Sequence, residues 1–260
     1  MADLEYSVRD HIATIRLNRP EQKNAFTLDM IDAWAEALYA AEANPEVRVV
    51  VLTGAGGAFC SGVDLSVLQE IEQTPLASKE LLTKHVHKVA LAVETMSKPY
   101  LAAVAGPAIG AGMDMALLAD IRVAADTARF SQAYVRVGLV PGDGGCYLLP
   151  RIVGTATALR LLWTGETLDA QRAMDIGLIS TVCSEDELEA TVYALARSIA
   201  GQPPVAVQMI KRSVRFGETH DLRTALDLIS SHNAIVLSTD DSREARAALA
   251  ERRPPIYHGR

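Results

Sequence analysis

Apolar and polar residues alternate at the start of the chain. Leu4, Tyr6 and Val8, then Ile12, Thr14 and Arg16 set against Ala13, Ile15 and Leu17, keep the period of two that strands require and predict a hairpin ended by Asn18-Arg19-Pro20. From Thr27 the spacing changes to three and four (Met30, Ile31, Trp34, Leu38, Ala41). That predicts an amphipathic helix with Thr27 as N-cap and Asn44-Pro45 as its end. Residues 47–52 form a short, valine-rich run, as in a strand covered on both faces, and lead into a loop over 53–57. The order then repeats, with a helix over 79–96, a strand over 100–105, a loop over 106–109, a helix over 111–119 and a strand over 121–125. Such alternation with short connections predicts an α/β chain built on a largely parallel sheet faced by helices. After about Pro141 strands nearly vanish. Helices are expected over 155–163, 169–174, 185–200, 203–216 and 221–249, with a short strand over 179–182. Gly201-Gln202-Pro203-Pro204 marks the expected boundary between a core, 1–200, and a helical region, 201–260.

Composition narrows the function. Hydrophobic residues at 49% and charged residues at 22% fit a soluble folded chain. A length of 260 residues buries one large core. The formal charge of −7 disfavours nucleic acid and anionic membranes as partners. Cys60, Cys146 and Cys183 are too widely spaced for a disulfide framework or a metal cluster. With an acidic start lacking a signal-peptide pattern, they predict a reducing, cytoplasmic setting. The apolar stretch 100–119 contains Gly106, Pro107, Gly110, Gly112 and Asp114, and is read as strand, loop and helix rather than a bilayer span.

Nucleotide and triad motifs fail on inspection. Gly54-Ala55-Gly56-Gly57-Ala58-Phe59 has Phe at the third glycine of G-x-G-x-x-G, and the cluster at Gly110 has Met115 there. Phe59 stands two residues before Ser61, so there is no nucleophile elbow. His85 and His87 on a helix point about 200° apart, cannot share a metal, and are expected on a solvated face. Cys60 is expected to be a small buried filler.

Two loops, 54–65 and 106–114, each follow a buried strand and are rich in small residues that leave amides uncovered. If amides from both converged they would form an oxyanion hole, with the second loop's amides gathered at a helix N-terminus. Two ordinary glycine-rich turns fit the spacing equally well.

Leu17-Asn18-Arg19-Pro20 with Asn24-Ala25, Phe59-Cys60-Ser61-Gly62-Val63-Asp64-Leu65, Ala105-Gly106 through Gly110-Ala111-Gly112, Pro141-Gly142-Asp143-Gly144-Gly145 and the terminal Glu251-Arg252-Arg253-Pro254-Pro255 follow in one order. Together they resemble the crotonase (enoyl-CoA hydratase/isomerase) superfamily over nearly the whole chain. The resemblance implies a crotonase-like spiral of ββα units, a C-terminal helical trimerisation region giving a homotrimer or hexamer, and acyl-CoA thioester substrates, with coenzyme A entering only as part of the substrate. It puts the oxyanion donors at the Val63 and Ala111 amides. It puts the two acid/base positions of the hydratases at Asp114 and Tyr134, where those enzymes carry glutamates. Asp143 falls within a residue or so of an aspartate used by related isomerases and a dehalogenase.

These departures favour isomerisation of a double bond over hydration. One carboxylate can move a proton between two carbons, whereas hydration wants a second group to activate water. Hydration through Asp114 and a water held by Tyr134 or Asp143, other thioester chemistry, and a catalytically silent acyl-CoA-binding protein remain open. Without the resemblance, Asp114 and Asp143 would read as helix caps or turn residues and Tyr134 as a pocket wall. Candidate coenzyme A contacts are Arg19, Lys23, Ala25, Ser61, Gly62, Asp64 and Leu65, with Lys211 and Arg212 as cations that could reach a neighbouring subunit's ligand. Asp64 also reads as a loop tie. Acyl-pocket walls are expected within 67–89.

Overall fold

The hairpin forms as expected. Strands β1 (Leu4–Arg9) and β2 (Ile12–Leu17) pair antiparallel with Leu4 opposite Leu17. Their two-residue turn, Asp10-His11, takes positive φ at both positions (51° and 63°), the handedness that matches strand twist. The computed structural model describes residues 2–70 and 74–260, and the side chains of Leu65, Leu68 and Glu70 lie outside the described set. Helix α1 (Leu28–Ala43) begins where Thr27 accepts a hydrogen bond from the Met30 amide at 3.2 Å. Its buried stripe packs on the sheet, and the Trp34 indole donates to the Tyr100 hydroxyl at 3.3 Å.

Strands β3 (Val49–Gly54), β4 (Tyr100–Val104), β6 (Ile121–Ala125) and β9 (Thr181–Cys183) extend the hairpin into a six-stranded sheet ordered β1-β2-β3-β4-β6-β9, parallel beyond the first pair. Alternation along each strand divides the core. Ala13, Ile15, Val50, Leu52, Ala102, Val104 and Ala124 face α1 and helix α4 (His87–Thr95). Ile12, Val49, Val51, Leu101, Ala103, Val123 and Ala125 face Leu188, Val192, Ala196 and Ala200 of helix α9 (Leu188–Ala200).

Several short elements depart from the expected pattern. The segment 106–109, expected as a loop, holds strand β5 (Pro107–Ile109). It pairs with β7 (Arg129–Ser131) and then β8 (Thr167–Asp169) in a second, three-stranded sheet. Three-residue strands are too short to show a period. The stretch 100–119 is thus β4, β5 and helix α5 (Ala111–Leu117), and no described helix is long and apolar enough to cross a membrane. Helix α2 (Leu65–Glu70) starts inside the first glycine-rich loop. The expected helix over 79–96 is instead α3 (Pro75–Leu81), a π-helical turn (Leu82–Val86) and α4. Helix α6 (Gly145–Val153) packs on α5 and on α7 (Thr155–Thr164), and α8 (Ala170–Asp175) packs on β8 and β9. After α9 come α10 (Pro204–Gly217), α11 (Leu222–Ser238) and α12 (Asp240–Glu251). The last two were expected as one helix. They break at Thr239, whose hydroxyl caps α12 by accepting from the Ser242 amide.

Candidate active site

Backbone hydrogen bonds stitch the two glycine-rich loops together. Cys60 donates to the Pro107 carbonyl at 3.0 Å and Ile109 donates to the Cys60 carbonyl at 3.0 Å, so β5 runs beside the first loop. A β-carbon at Gly112 would fall 2.0 Å from the Cys60 carbonyl oxygen, so this approach requires glycine. The other side of the first loop is tied to the N-terminal segment. Phe26 donates to the Gly62 carbonyl and Asp64 to the Phe26 carbonyl, each at 2.9 Å. Buried Asn24 donates to the carbonyls of Ala55 and Ala58 at 2.9 and 2.8 Å.

This stitching sets the first loop at Gly62, the residue before Val63, against the start of α5 at Ala111. A β-carbon at Gly62 would lie 3.4 Å from the Ala111 amide nitrogen. Among the described residues neither the Val63 nor the Ala111 amide has a hydrogen-bond partner, although their neighbours Asp64 and Gly110 do. Two unpaired amides on adjoining loops suit a carbonyl oxygen that acquires negative charge.

One turn beyond Ala111, Asp114 is fully buried at 0% exposure. It does not cap its own helix, which begins at Gly110 with no side-chain cap. Its carboxylate accepts from Gln132 Nε2 at 2.6 Å and faces the Tyr134 hydroxyl at 3.0 Å. The same hydroxyl lies 2.8 Å from the carboxylate of Asp143, which is 3% exposed. Asp143 does not cap α6 either, since Gly144 holds that position without a side-chain bond. Gly145, the first residue of α6, presses against Asp114, and a β-carbon there would sit 2.2 Å from Oδ1. Tyr134 is therefore more than a pocket wall, because its hydroxyl joins the two acids.

The electrostatics follow from burial. Loss of solvent raises the Asp114 carboxyl to about 7, opposed by the Gln132 hydrogen bond and assisted by the charge of Asp143. Burial also raises Asp143, against the Tyr134 hydrogen bond and the nearby His87. Burial and the two acids push the Tyr134 phenol far above its ordinary value, so it stays neutral. Two carboxyls joined through one hydroxyl titrate as a pair.

The whole chain carries the same pattern. The family model described as enoyl-CoA hydratase/isomerase matches residues 7–260. The chain belongs to the enoyl-CoA hydratase/isomerase family. It is 35% identical to 1,2-epoxyphenylacetyl-CoA isomerase of Escherichia coli (strain K12) over 254 residues, covering 97% of each chain. It is also 35% identical to the short-chain-enoyl-CoA hydratase of Clostridium acetobutylicum over 243 residues, 93% of this chain and 92% of that one. The crystal structure of an enoyl-CoA hydratase from Bacillus anthracis superposes with a TM-score of 0.95 at 31% identity, each chain fully covered. The crotonase fold and an acyl-CoA enzyme of this family are thereby established.

In this hydratase/isomerase scaffold the remaining candidates fall as follows. Arg19 and Asp64 pair with each other at 2.8 Å, and Arg19 also donates to the Ala25 carbonyl at 2.6 Å. Asp64 further accepts from the Ser66 amide and hydroxyl, which together with Arg19 hold its carboxyl below the ordinary range. Lys23 is exposed, with φ of 50°, and its carbonyl accepts from the Ser61 amide. The Ser61 hydroxyl donates to the Gln22 carbonyl, and the Leu65 side chain lies outside the described residues, as do residues 71–73 of the expected acyl-pocket stretch.

Lys211 is not free to reach another subunit's ligand, because it is held by Asp120 at 2.6 Å and by the Lys98 carbonyl at 2.7 Å. Arg212 is exposed. Cys60 is fully buried, as a filler should be, and burial pushes its thiol up to about 12. One of the histidines corrects an expectation. His85 keeps to the partly solvated face and pairs with Asp32 at 3.1 Å, whereas His87 turns inward and its Nε2 donates to the Gly142 carbonyl at 2.8 Å, beside Asp143. Gln132 and His87 are the site residues that sequence reasoning missed, and only Gln132 had a signal, since it stands two residues before Tyr134.

Proposed function

We propose that this enzyme moves the double bond of an enoyl-CoA thioester in preference to adding water across it. In this reading the Val63 and Ala111 amides stabilise the enolate oxygen and Asp114 takes the α-proton. Asp143 is the second carboxyl and Tyr134 occupies the position of the second glutamate. The observation that carries the choice is the Tyr134 hydroxyl, committed to both carboxylates at 3.0 and 2.8 Å. A group so engaged is poorly disposed to activate water, and the two acids it joins suit removal of a proton at one carbon and its return at another. Lys23, with Arg19, Ala25, Ser61, Gly62, Asp64 and Leu65 along the same loops, is the proposed coenzyme A contact. Residues 201–260, with Ile210, Val214 and Leu249 exposed, are the proposed oligomerisation region.

Hydration is the second reading. Gln132 Oε1 is buried without a partner among the described residues and could accept from an ordered water. The test offers the enzyme a 3-enoyl-CoA and the matching 2-enoyl-CoA in ¹⁸O-labelled water. Isomerisation with kcat/KM at least tenfold above hydration is expected. A labelled hydroxyacyl-CoA formed at the greater rate overturns the assignment, and an unchanged pool of both substrates marks a silent binder.

A further inference from the structure

The Tyr134 hydroxyl has one hydrogen and two acidic neighbours. Both contacts are hydrogen bonds only if one carboxyl is protonated and donates to the phenol oxygen while the phenol donates to the other. The trio therefore holds two protons on three groups. The sides are unequal. Asp114 receives donors from Gln132 and Tyr134 and faces the Gly145 amide, and these hold its anion once it has released its proton above about pH 7. Asp143 meets the phenol at 2.8 Å as its one side-chain partner among the described residues, which leaves it the place for the shared proton. Asp114 and Asp143 are 0% and 3% exposed, so water cannot easily supply or remove that proton.

We propose that Tyr134 resets the two-carboxylate pair after each turnover by passing a proton from Asp114 back to Asp143. The proposal rests on the isomerase reading above. In the forward step the α-carbon C–H bond breaks, its proton goes to Asp114, and its electron pair becomes the enolate double bond, with charge on the oxygen held by Val63 and Ala111. Asp143 then gives its proton to the γ-carbon. The old double bond supplies the pair for the new C–H bond, the α,β double bond forms, and the thioester carbonyl returns. Asp114 is now neutral and Asp143 ionised. The phenol oxygen accepts the Asp114 proton as its own hydroxyl proton moves to Asp143. No proton is gained or lost over the cycle.

The experiment is a rapid-mixing assay of the full-length enzyme and Tyr134→Phe with a six-carbon 3-enoyl-CoA, after checking that the variant melts cooperatively and retains coenzyme A affinity. The variant keeps both carboxyls but has no return path. It is expected to release a burst of about one product per active site, then turn over at least 10²-fold more slowly than the parent, which shows no burst. Linear progress in the variant, or no first turnover, overturns the relay while leaving isomerisation by the parent intact. Should the variant not fold, the parent alone decides. In a single turnover of α-dideuterated substrate in ordinary water, the product γ-carbon is expected to carry protium from Asp143. Deuterium retained there, in the same molecule, overturns the relay. Absence of isomerisation by the parent overturns the isomerase reading as well.

Discussion

The burial of Asp114 has a measurable consequence. The carboxyl stays beneath Gln132 and Tyr134, fully covered, and burial carries its proton release to about 7 from an ordinary 3.8. From about pH 4 to about 7 the unfolded chain has released this proton and the folded chain has not, so folding stability falls as pH rises. Above 7 the full cost applies, on the order of 4 kcal/mol. Asp114→Asn removes that ionisation. The variant is expected to be inactive yet more stable than the parent, with the gain in unfolding free energy larger at pH 8 than at pH 5 in urea titrations. Equal gains at both pH values would contradict the burial argument. Asp114, Tyr134 and Asp143 were singled out by the family resemblance, since residue patterns alone read them as caps, turn or pocket wall, and the folded chain joins the three through one hydroxyl. His87 was not, since its partner Gly142 lies 55 positions away and periodicity carries no trace of such a bond. Gln132 was passed over, because only the folded chain aims its amide at Asp114.

Elements with an unbroken period were read well, since each repeats it more than once, whereas α2 and α6 were not expected and α11 and α12 were read as one helix. Helix α1, the hairpin and strands β3, β4 and β6 lie within a few residues of the expected bounds. The second sheet was missed because its three strands have three residues each and are defined by their neighbours. The start of α6 shows the same dependence on tertiary context, because its first residue must be small for a reason set by α5. In Gly145→Ala the new β-carbon would meet Asp114 Oδ1 at 2.2 Å, so either α6 or the carboxyl shifts. A stability loss of about 1–3 kcal/mol is expected. The proposed isomerisation should slow about 10²-fold, because displacement of a reacting group by about 1 Å costs that much. Gly217→Ala, at the end of α10 with nothing within 4 Å of the added carbon, is the control and should leave both quantities close to the parent. Similar losses at the two positions would show that the close approach at α6 is unimportant.

The helices beyond Gly201 looked like a separate segment because their boundary is rich in proline and glycine, yet they are fastened to the sheet at Asp120. That carboxylate accepts from the Tyr100 amide at 2.8 Å, from Lys211 at 2.6 Å and from Arg215 at 2.9 Å, joining β4, the turn after α5, and α10. Arg48 adds a second fastening through the carbonyls of Ala200 and Tyr257. The Lys211 side chain is 9% exposed, and burial lowers its affinity for a proton while Asp120 restores part of it. Removing the acid alone strands a covered ammonium, a loss of about 3 kcal/mol. Removing both charges leaves an apolar stem in the same space and avoids most of that loss. Asp120→Asn is therefore expected to be clearly destabilised in chemical denaturation, and Asp120→Asn with Lys211→Met to recover at least half of the deficit. The turn that holds Asp120 follows α5 directly, so the single variant should also lower turnover of enoyl-CoA by loosening the helix that carries Ala111 and Asp114. A double variant no more stable than the single one would mean that α10 is held by its apolar face and that the Asp120 hub contributes little.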